Sequence, residues 1–204
     1  MRHNVQKIPD FPMPITTDRL IIHPTQAPDA KMLNDAILES FDELHHWMDW
    51  CRKAPHLSET EKYTKEAAEN WISKKNDEPY LQLVILDKHT NKFIGATSFH
   101  HYNWEIPSIE TGYWIRTSKS GCGYITEATN AITQYAFRQL KVKRISLTCD
   151  PDNIKSKNIA ERLGYTLEGR LKNHRIKPDS GKIGDTLLYA KYDCENLPPL
   201  NVTW

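Results

Sequence analysis

The sequence predicts an α/β (α+β) fold in which one mixed sheet carries helices on both faces, and three observations lead there. Residues 108–128, SIETGYWIRTSKSGCGYITEA, run through a strand, a glycine turn and the start of a helix in immediate succession. A short β-rich run at Arg144–Cys149 follows that helix, and strand, helix and strand in this order imply a right-handed parallel crossover. On either side of this unit, alternating segments are separated by short polar turns of the kind that join antiparallel strands.

The elements follow in order. Residues 1–14, with three prolines and little periodicity, read as an extended arm before a first strand at Arg19–His23. A helix begins near Pro28, whose fixed φ and missing N–H suit a first turn, and Ala30, Leu33, Ile37, Phe41 and Leu44 give it one apolar face. Ser58-Glu-Thr-Glu61 is a capping box, followed by Tyr63, Ala67, Trp71 and Ile72 at helical spacing, so a second helix spans about 59–75. Tyr80–Asp87 and Lys92–His101 read as strands joined by a turn at Lys88-His-Thr-Asn91.

In the central segment Ile109, Thr111, Tyr113 and Ile115 alternate with Glu110, Gly112, Trp114 and Arg116, the period of a strand. Tyr124, Ala128, Ala131, Ile132, Tyr135 and Leu140 then share one face of a helix over 123–140. Asn153 caps a further helix that ends at Gly164. Strands near 165–175 and 183–193 flank the turn Pro178-Asp-Ser-Gly181 and pair antiparallel. The total is about seven strands in a single domain over 15–195, with 196–204 as a C-terminal tail.

Composition excludes several function classes. The 27 basic residues of the 204-residue chain balance 26 acidic ones, with no run of like charge, so the global field draws neither nucleic acid nor an anionic membrane. No apolar stretch approaches the ~20 residues that cross a bilayer, and the opening residues MRHNVQKIPDFPMP lack the apolar core of a secretory signal. Cys51, Cys122, Cys149 and Cys194 are scattered without a C-x-x-C pair, as reduced thiols would be. A cytoplasmic location is expected.

Backbone N–H groups at a helix start lack partners and carry positive partial charge, so Ser120-Gly-Cys-Gly123 before a helix can cradle phosphate or serve as a plain turn. The spacing fits neither G-x-x-x-x-G-K-S/T nor G-x-G-x-x-G, since Thr126 holds the third glycine position of the latter. Nucleoside triphosphates and NAD lose ground accordingly.

Several ordered segments resemble the GNAT superfamily of acetyl-CoA-dependent N-acetyltransferases: Ile109-Glu-Thr-Gly-Tyr-Trp-Ile-Arg116, Gly121-Cys-Gly-Tyr-Ile-Thr-Glu-Ala128, Asn153-Ile-Lys-Ser156, Leu163-Gly-Tyr165 and Glu168-Gly-Arg170. With Thr17-Asp-Arg-Leu20 and His46-Trp-Met-Asp-Trp50 the resemblance runs from about Thr17 to Tyr192, nearest the ribosomal-protein-serine branch. It implies a mostly antiparallel sheet with one splayed parallel pair, 109–116 against 144–149, and acetyl-CoA lying in the gap. The pantetheine would pair with the backbone of Trp114, Ile115 and Arg116, and the pyrophosphate would sit on the N–H groups of Gly121, Cys122, Gly123, Tyr124, Ile125 and Thr126. The superfamily's loop pattern aligns to Ser120, Gly123 and Ile125, and both Ser120 and Ile125 depart from it.

Acyl transfer needs a neutral amine and a stabilised thiolate. An α-amine, with pKa ~8, is about a tenth neutral at pH 7, whereas a lysine near ~10.4 is under a thousandth neutral, so an α-amine tolerates a weak base. The resemblance makes Glu110 the first candidate base and Glu168 the second; each also reads as a surface carboxylate. The usual general-acid tyrosine falls at Ala160, so Ser156, with Asn153 near the cofactor sulfur, is its substitute, although Asn153 and Ser156 also read as a simple N-cap and first turn. Cys149 ends a strand facing the thioester and is a lining residue. Trp47 and Trp50, three apart, would share a helical face and wall an acceptor groove, or else pack in the core. His45-His46 and His100-His101 have no companion cysteine or carboxylate at ligand spacing in the sequence, so no metal is assigned.

Three functions remain open: acetylation of a protein N-terminal α-amine, as on a ribosomal protein; acetylation of a small amine such as a polyamine, amino-acid derivative or aminoacyl antibiotic; and a non-catalytic acyl-CoA-binding module. Acetyl-CoA is the expected co-substrate in the first two, no direct nucleic-acid or membrane partner is expected, and a homodimer is left open.

Overall fold

In the computed structural model, which describes residues 10–73 and 80–204, the chain runs β1 (Ile15–Thr16), β2 (Leu20–Pro24), α1 (Ala30–Glu39), α2 (Phe41–Trp47), α3 (Leu57–Ser73), β3 (Leu81–Asp87), β4 (Phe93–Asn103), β5 (Ser108–Ile115), α4 (Tyr124–Arg138), β6 (Arg144–Cys149), α5 (Ile154–Arg162), β7 (Thr166–Ile176) and β8 (Ile183–Lys191). The strands form one sheet in the order β1-β2-β3-β4-β5-β6-β8-β7, antiparallel throughout except for β5 and β6. The eighth strand is β1, two residues too short to show a period, which pairs Ile15 with Ile22.

Alternation along the strands sends apolar side chains to both faces, and a helical layer covers each. On one face Ala128, Ala131, Ile132 and Tyr135 of α4 pack with Leu83, Ile85, Ile109 and Ile145 in the larger core. On the other, Leu33, Ala36 and Ile37 of α1 and Leu44 of α2 join Val84, Leu86, Phe93 and Ala96. Ala160 of α5 is fully buried in the larger core, so a tyrosine there would have no room.

The single helix expected from Pro28 to Leu44 is two, because Ser40 breaks it. Its backbone leaves helical geometry at φ −105°, ψ 12°, and its Oγ accepts from the N–H of Thr117 at 2.9 Å. A tertiary bond outweighs helix continuation here, which periodicity could not reveal. The expected end of the next helix at 75 and the expected arm over 1–9 lie outside the described residues. Within the rest of that arm, Phe11 is buried edge-on to Trp71 and Phe99, and the Pro12 carbonyl accepts the hydroxyl of buried Tyr135 at 3.0 Å. Leaving that hydroxyl unpaired would cost about 1–3 kcal/mol.

The segment 196–204, expected to trail beyond the domain, docks on it. Thr203 and Thr16 exchange backbone bonds of 2.8 and 3.0 Å, Asn130 donates to the Pro198 carbonyl, and Trp204 Nε1 donates to Gln139.

The feature that makes the site is where β5 and β6 stop pairing. Their parallel register covers Ser108↔Arg144, Ile109↔Ile145 and Glu110↔Ser146; beyond it β5 stays on β4 and β6 stays on β8. A wedge opens between Thr111–Ile115 and Leu147–Cys149.

Candidate active site

A cavity of about 1000 Å³ opens at this wedge. Its walls draw on β3 to β8, the start of α5, the loop after α2, and side chains of α1 and α3. Seven side chains singled out from the sequence line it together: Glu110, Trp114, Cys149, Asn153, Ser156, Trp47 and Trp50. Trp47 ends α2 and Trp50 lies beyond it in a turn, so they share the cavity and not a helical face. Trp50 leans on Trp114 with ring centroids 6.1 Å apart. The Trp47 carbonyl is held by Arg175 of β7 at 2.9 Å.

Glu110 is the last β5 residue paired with β6, so its carboxylate stands at the apex of the wedge. Cross-strand register puts it opposite His100. Its Oε1 lies 3.5 Å from His100 Nε2 and accepts from Thr148 Oγ1 at 3.2 Å, and its Oε2 lies 3.3 Å from His101 Nδ1. Burial alone would raise its pKa; the hydrogen bonds and charges of His100 and His101 together outweigh burial and hold the carboxyl at about 2. Tyr80 stacks on the His100 ring at 4.8 Å.

Tyr113, which the alternating pattern marked only as a strand residue, reaches across the wedge to α5. Its hydroxyl lies 3.1 Å from Ser156 Oγ and donates to the Ser156 carbonyl at 3.3 Å. Burial pushes its pKa up, so the phenol keeps its proton. Asn153 Oδ1 accepts the Ser156 N–H at 3.0 Å, so the capping role read from the sequence is real and also fixes Ser156 at the cavity. Burial pushes the Cys149 thiol up to about 11, which leaves it a poor nucleophile at neutral pH.

The glycine turn, at the start of α4, is not among the residues that line the cavity, nor are Ile115 and Arg116. Gly121 and Gly123 have φ of 79° and 77°, a region that side chains other than glycine enter at a cost, and Gly123 is the N-cap. The first helical bond runs from Glu127 N–H to the Gly123 carbonyl at 3.0 Å, so the N–H groups of Tyr124, Ile125 and Thr126 have no partner inside the helix. The Ile125 side chain is buried in the core, so its departure from the loop pattern points away from any ligand. Arg19 braces the turn: it donates to the Cys122 carbonyl at 3.2 Å, pairs with Glu127 at 2.6 Å and lies 4.6 Å over the Tyr124 ring.

Backbone direction refines the strand's part. Arg116 N–H donates to Ile94 on β4, while Lys143 N–H donates to Pro107 ahead of β6. Alternation then turns the backbone groups of Tyr113 and Ile115 into the wedge and those of Trp114 and Arg116 toward β4. The Arg116 side chain is committed to Glu39 at 2.6 Å. Glu168 is not brought to the cavity: it pairs with Arg144 and accepts the hydroxyl of Tyr192.

Residues 19–166 match the family model described as Acetyltransferase (GNAT) domain. The chain belongs to the GNAT family. This GNAT protein is an acetyl-CoA-dependent N-acetyltransferase. It is 25% identical over 175 residues to the ribosomal-protein-serine acetyltransferase of Escherichia coli (strain K12), covering 86% of this chain and 93% of that one. Microcin C7 self immunity acetyltransferase MccE, solved with acetyl-CoA and AMP, superimposes with a TM-score of 0.77 at 26% identity, over 86% of this chain and 93% of that one. RimL, a ribosomal L7/L12 α-N-protein acetyltransferase solved with coenzyme A, shares the GNAT fold at a TM-score of 0.77 and 22% identity, over 87% of this chain and 96% of that one. Among the described residues of the GNAT protein, no helix is long and apolar enough to cross a membrane.

Proposed function

We propose that this acetyltransferase modifies the α-amine of a protein N-terminus, with ribosomal proteins as the first acceptors to try. The observation that carries the reading is the placing of Glu110 at the apex of the wedge, in a wide, aromatic-walled cavity that Tyr113 and Ser156 also line. The relationship to the ribosomal-protein-serine acetyltransferase supports the acceptor class.

Acetyl-CoA would enter the wedge with its amides on the backbone of Tyr113 and Ile115 and its pyrophosphate on the N–H groups of 121–126. The acceptor nitrogen attacks the thioester carbonyl carbon directly; the N–C bond forms, the C–S bond breaks, and one proton leaves nitrogen. As nitrogen takes on positive charge its N–H becomes strongly acidic, so even a weakly basic carboxylate such as Glu110 can accept that proton. The departing thiolate takes a hydrogen bond from the Tyr113–Ser156 pair, with Tyr113 as the phenol that reaches the sulfur side from β5 in place of one at Ala160. Cys149 stays a protonated wall residue.

A second reading, a small-amine acceptor, is favoured by the likeness to MccE and by Arg175, whose buried Nε lacks a partner in the cavity wall and could take an anionic group of such a substrate. Thiol release from acetyl-CoA, measured against a panel of ribosomal N-terminal peptides and a panel of small amines, decides between them. Turnover confined to small amines would overturn the peptide reading.

A further inference from the structure

His100 and His101 are adjacent on β4, and neighbours on a regular strand point to opposite faces. Here both rings reach one carboxylate. The cause is local: His101 has φ of 47°, in the left-handed region, and the β4–β5 register shifts just beyond His100. A histidine held there costs about 1–3 kcal/mol of backbone strain. The result is that His100 Nε2, His101 Nδ1 and the Glu110 carboxylate converge, with ligand atoms within 4.8 Å of one another.

We propose that these three residues bind a divalent cation of the zinc class, which engages the carboxylate and switches the transferase off. Two ligand atoms on a tetrahedral zinc are about 3.3 Å apart for bonds of ~2.0–2.1 Å. Glu110 Oε1 lies 3.5 Å from His100 Nε2 and Oε2 lies 3.3 Å from His101 Nδ1, so an ion between the two carboxylate oxygens would draw the imidazoles inward from a spread of at most 4.8 Å. Two imidazole nitrogens and a carboxylate select zinc and its first-row neighbours over magnesium or calcium, which take oxygen ligands.

The surroundings also suit a metal. Ser98 Oγ lies 3.1 Å from His100 Nδ1, so the tautomer that donates to Ser98 turns the Nε2 lone pair toward Glu110. In that tautomer the Nε2 lone pair faces the carboxylate, and a cation can take the place of the proton that otherwise joins imidazole and carboxylate. His101 is 67% exposed and offers the way in. Acetyl transfer in this family uses no metal, so the ion acts as an inhibitor and not as a cofactor. The inhibitory half rests on Glu110 acting as the base, whereas the binding half does not.

The test titrates Zn²⁺ calorimetrically into the full-length protein and records Co²⁺ spectra on the same protein. The expected result is saturable one-to-one binding, Co²⁺ bands without thiolate charge transfer, and at least tenfold weaker binding in both His101→Gly and Glu110→Gln. Glycine accepts the left-handed φ at 101, so loss of binding there reports the imidazole and not the backbone. Zn²⁺ should inhibit turnover, with an inhibition constant that shifts in His101→Gly by the same factor as the Kd. Absent saturable binding, thiolate bands, or undiminished affinity in either variant overturns the site. Full turnover at saturating Zn²⁺ overturns the inhibition. Metal-free Glu110→Gln that turns over normally would sink the base role alone.

Discussion

The hydroxyl of Tyr113 on β5 stands 3.1 Å from Oγ of Ser156 in the first turn of α5, a bond that spans the open end of the wedge. In the proposed mechanism the two side chains act as one donor toward the thioester sulfur, so their substitutions should not add. Tyr113→Phe should lower kcat by about 10²-fold, the low end for a positioned proton donor, with acetyl-CoA affinity within a few-fold of wild type. Ser156→Ala added to it should cost little more than either change alone. Steady-state kinetics of the double-mutant cycle measure this, and full additivity would separate the two roles.

Glu110 and Glu168 stand in different surroundings and predict different phenotypes. Glu110→Gln should reduce kcat by about 10²–10⁴-fold and, because folding depresses this carboxyl too, should also lower stability at pH 7. Glu168→Gln, which strands Arg144 and Tyr192 outside the cavity, should leave kcat within a few-fold and lower stability by about 0.2–1 kcal/mol, as for other part-exposed ion pairs. A collapse of turnover in Glu168→Gln would exchange their roles.

Gly123 carries the turn. A Cβ there meets only the Arg19 guanidinium at 3.7 Å, an ordinary contact, so the penalty of Gly123→Ala comes from φ of 77°. It should be about 1–2 kcal/mol in chemical denaturation. Relaxing the backbone would also re-aim the N–H groups ahead of α4, so acetyl-CoA should bind less tightly in the same variant. Gly121→Ala, with open space around its Cβ and φ of 79°, should show the same strain.

Glu39 ties α1 to the end of β5. Hydrogen bonds from Arg116 first, and then from Ser118, hold its pKa at about 2 against an ordinary 4.5. A carboxyl depressed by folding stabilises the protein above its unfolded pKa and loses that contribution as pH falls toward the folded one. The Glu39 contribution is therefore complete above about pH 4.5 and gone near pH 2. Glu39→Gln should be less stable at pH 7 and should flatten the acid limb of Tm between those values, as thermal melts across pH would register.

Strand period and turn chemistry were enough to read β2 through β8, the parallel crossover and the Asn153 cap from the sequence, because each is a local pattern. The splay was legible only through resemblance, since whether β5 and β6 part after Glu110 depends on how α4 and α5 pack. Tyr113 escaped notice for that reason: an alternating strand marks its face but not the wedge it borders. The His100–His101–Glu110 cluster was hidden because its carboxylate arrives across a strand pair and its second imidazole through a backbone twist, neither of which is a spacing along the chain. Glu168 could not be placed from the sequence, because an acidic residue after a helix looks the same whether it faces the cavity or Arg144.

The parting of β5 from β6 leaves an internal sheet edge, with the backbone groups of Tyr113 and Ile115 turned into it. Such an edge is a template for any passing strand, so the ligand-free enzyme carries an aggregation risk at its centre and not at its rim. Acetyl-CoA bound in the gap as proposed would close that edge, and at a hundred times its Kd would add about 2.7 kcal/mol of stability by mass action. Amide hydrogens at 113 and 115 should then exchange quickly in the free protein and slowly in the complex, and solubility during purification should follow the supply of coenzyme A.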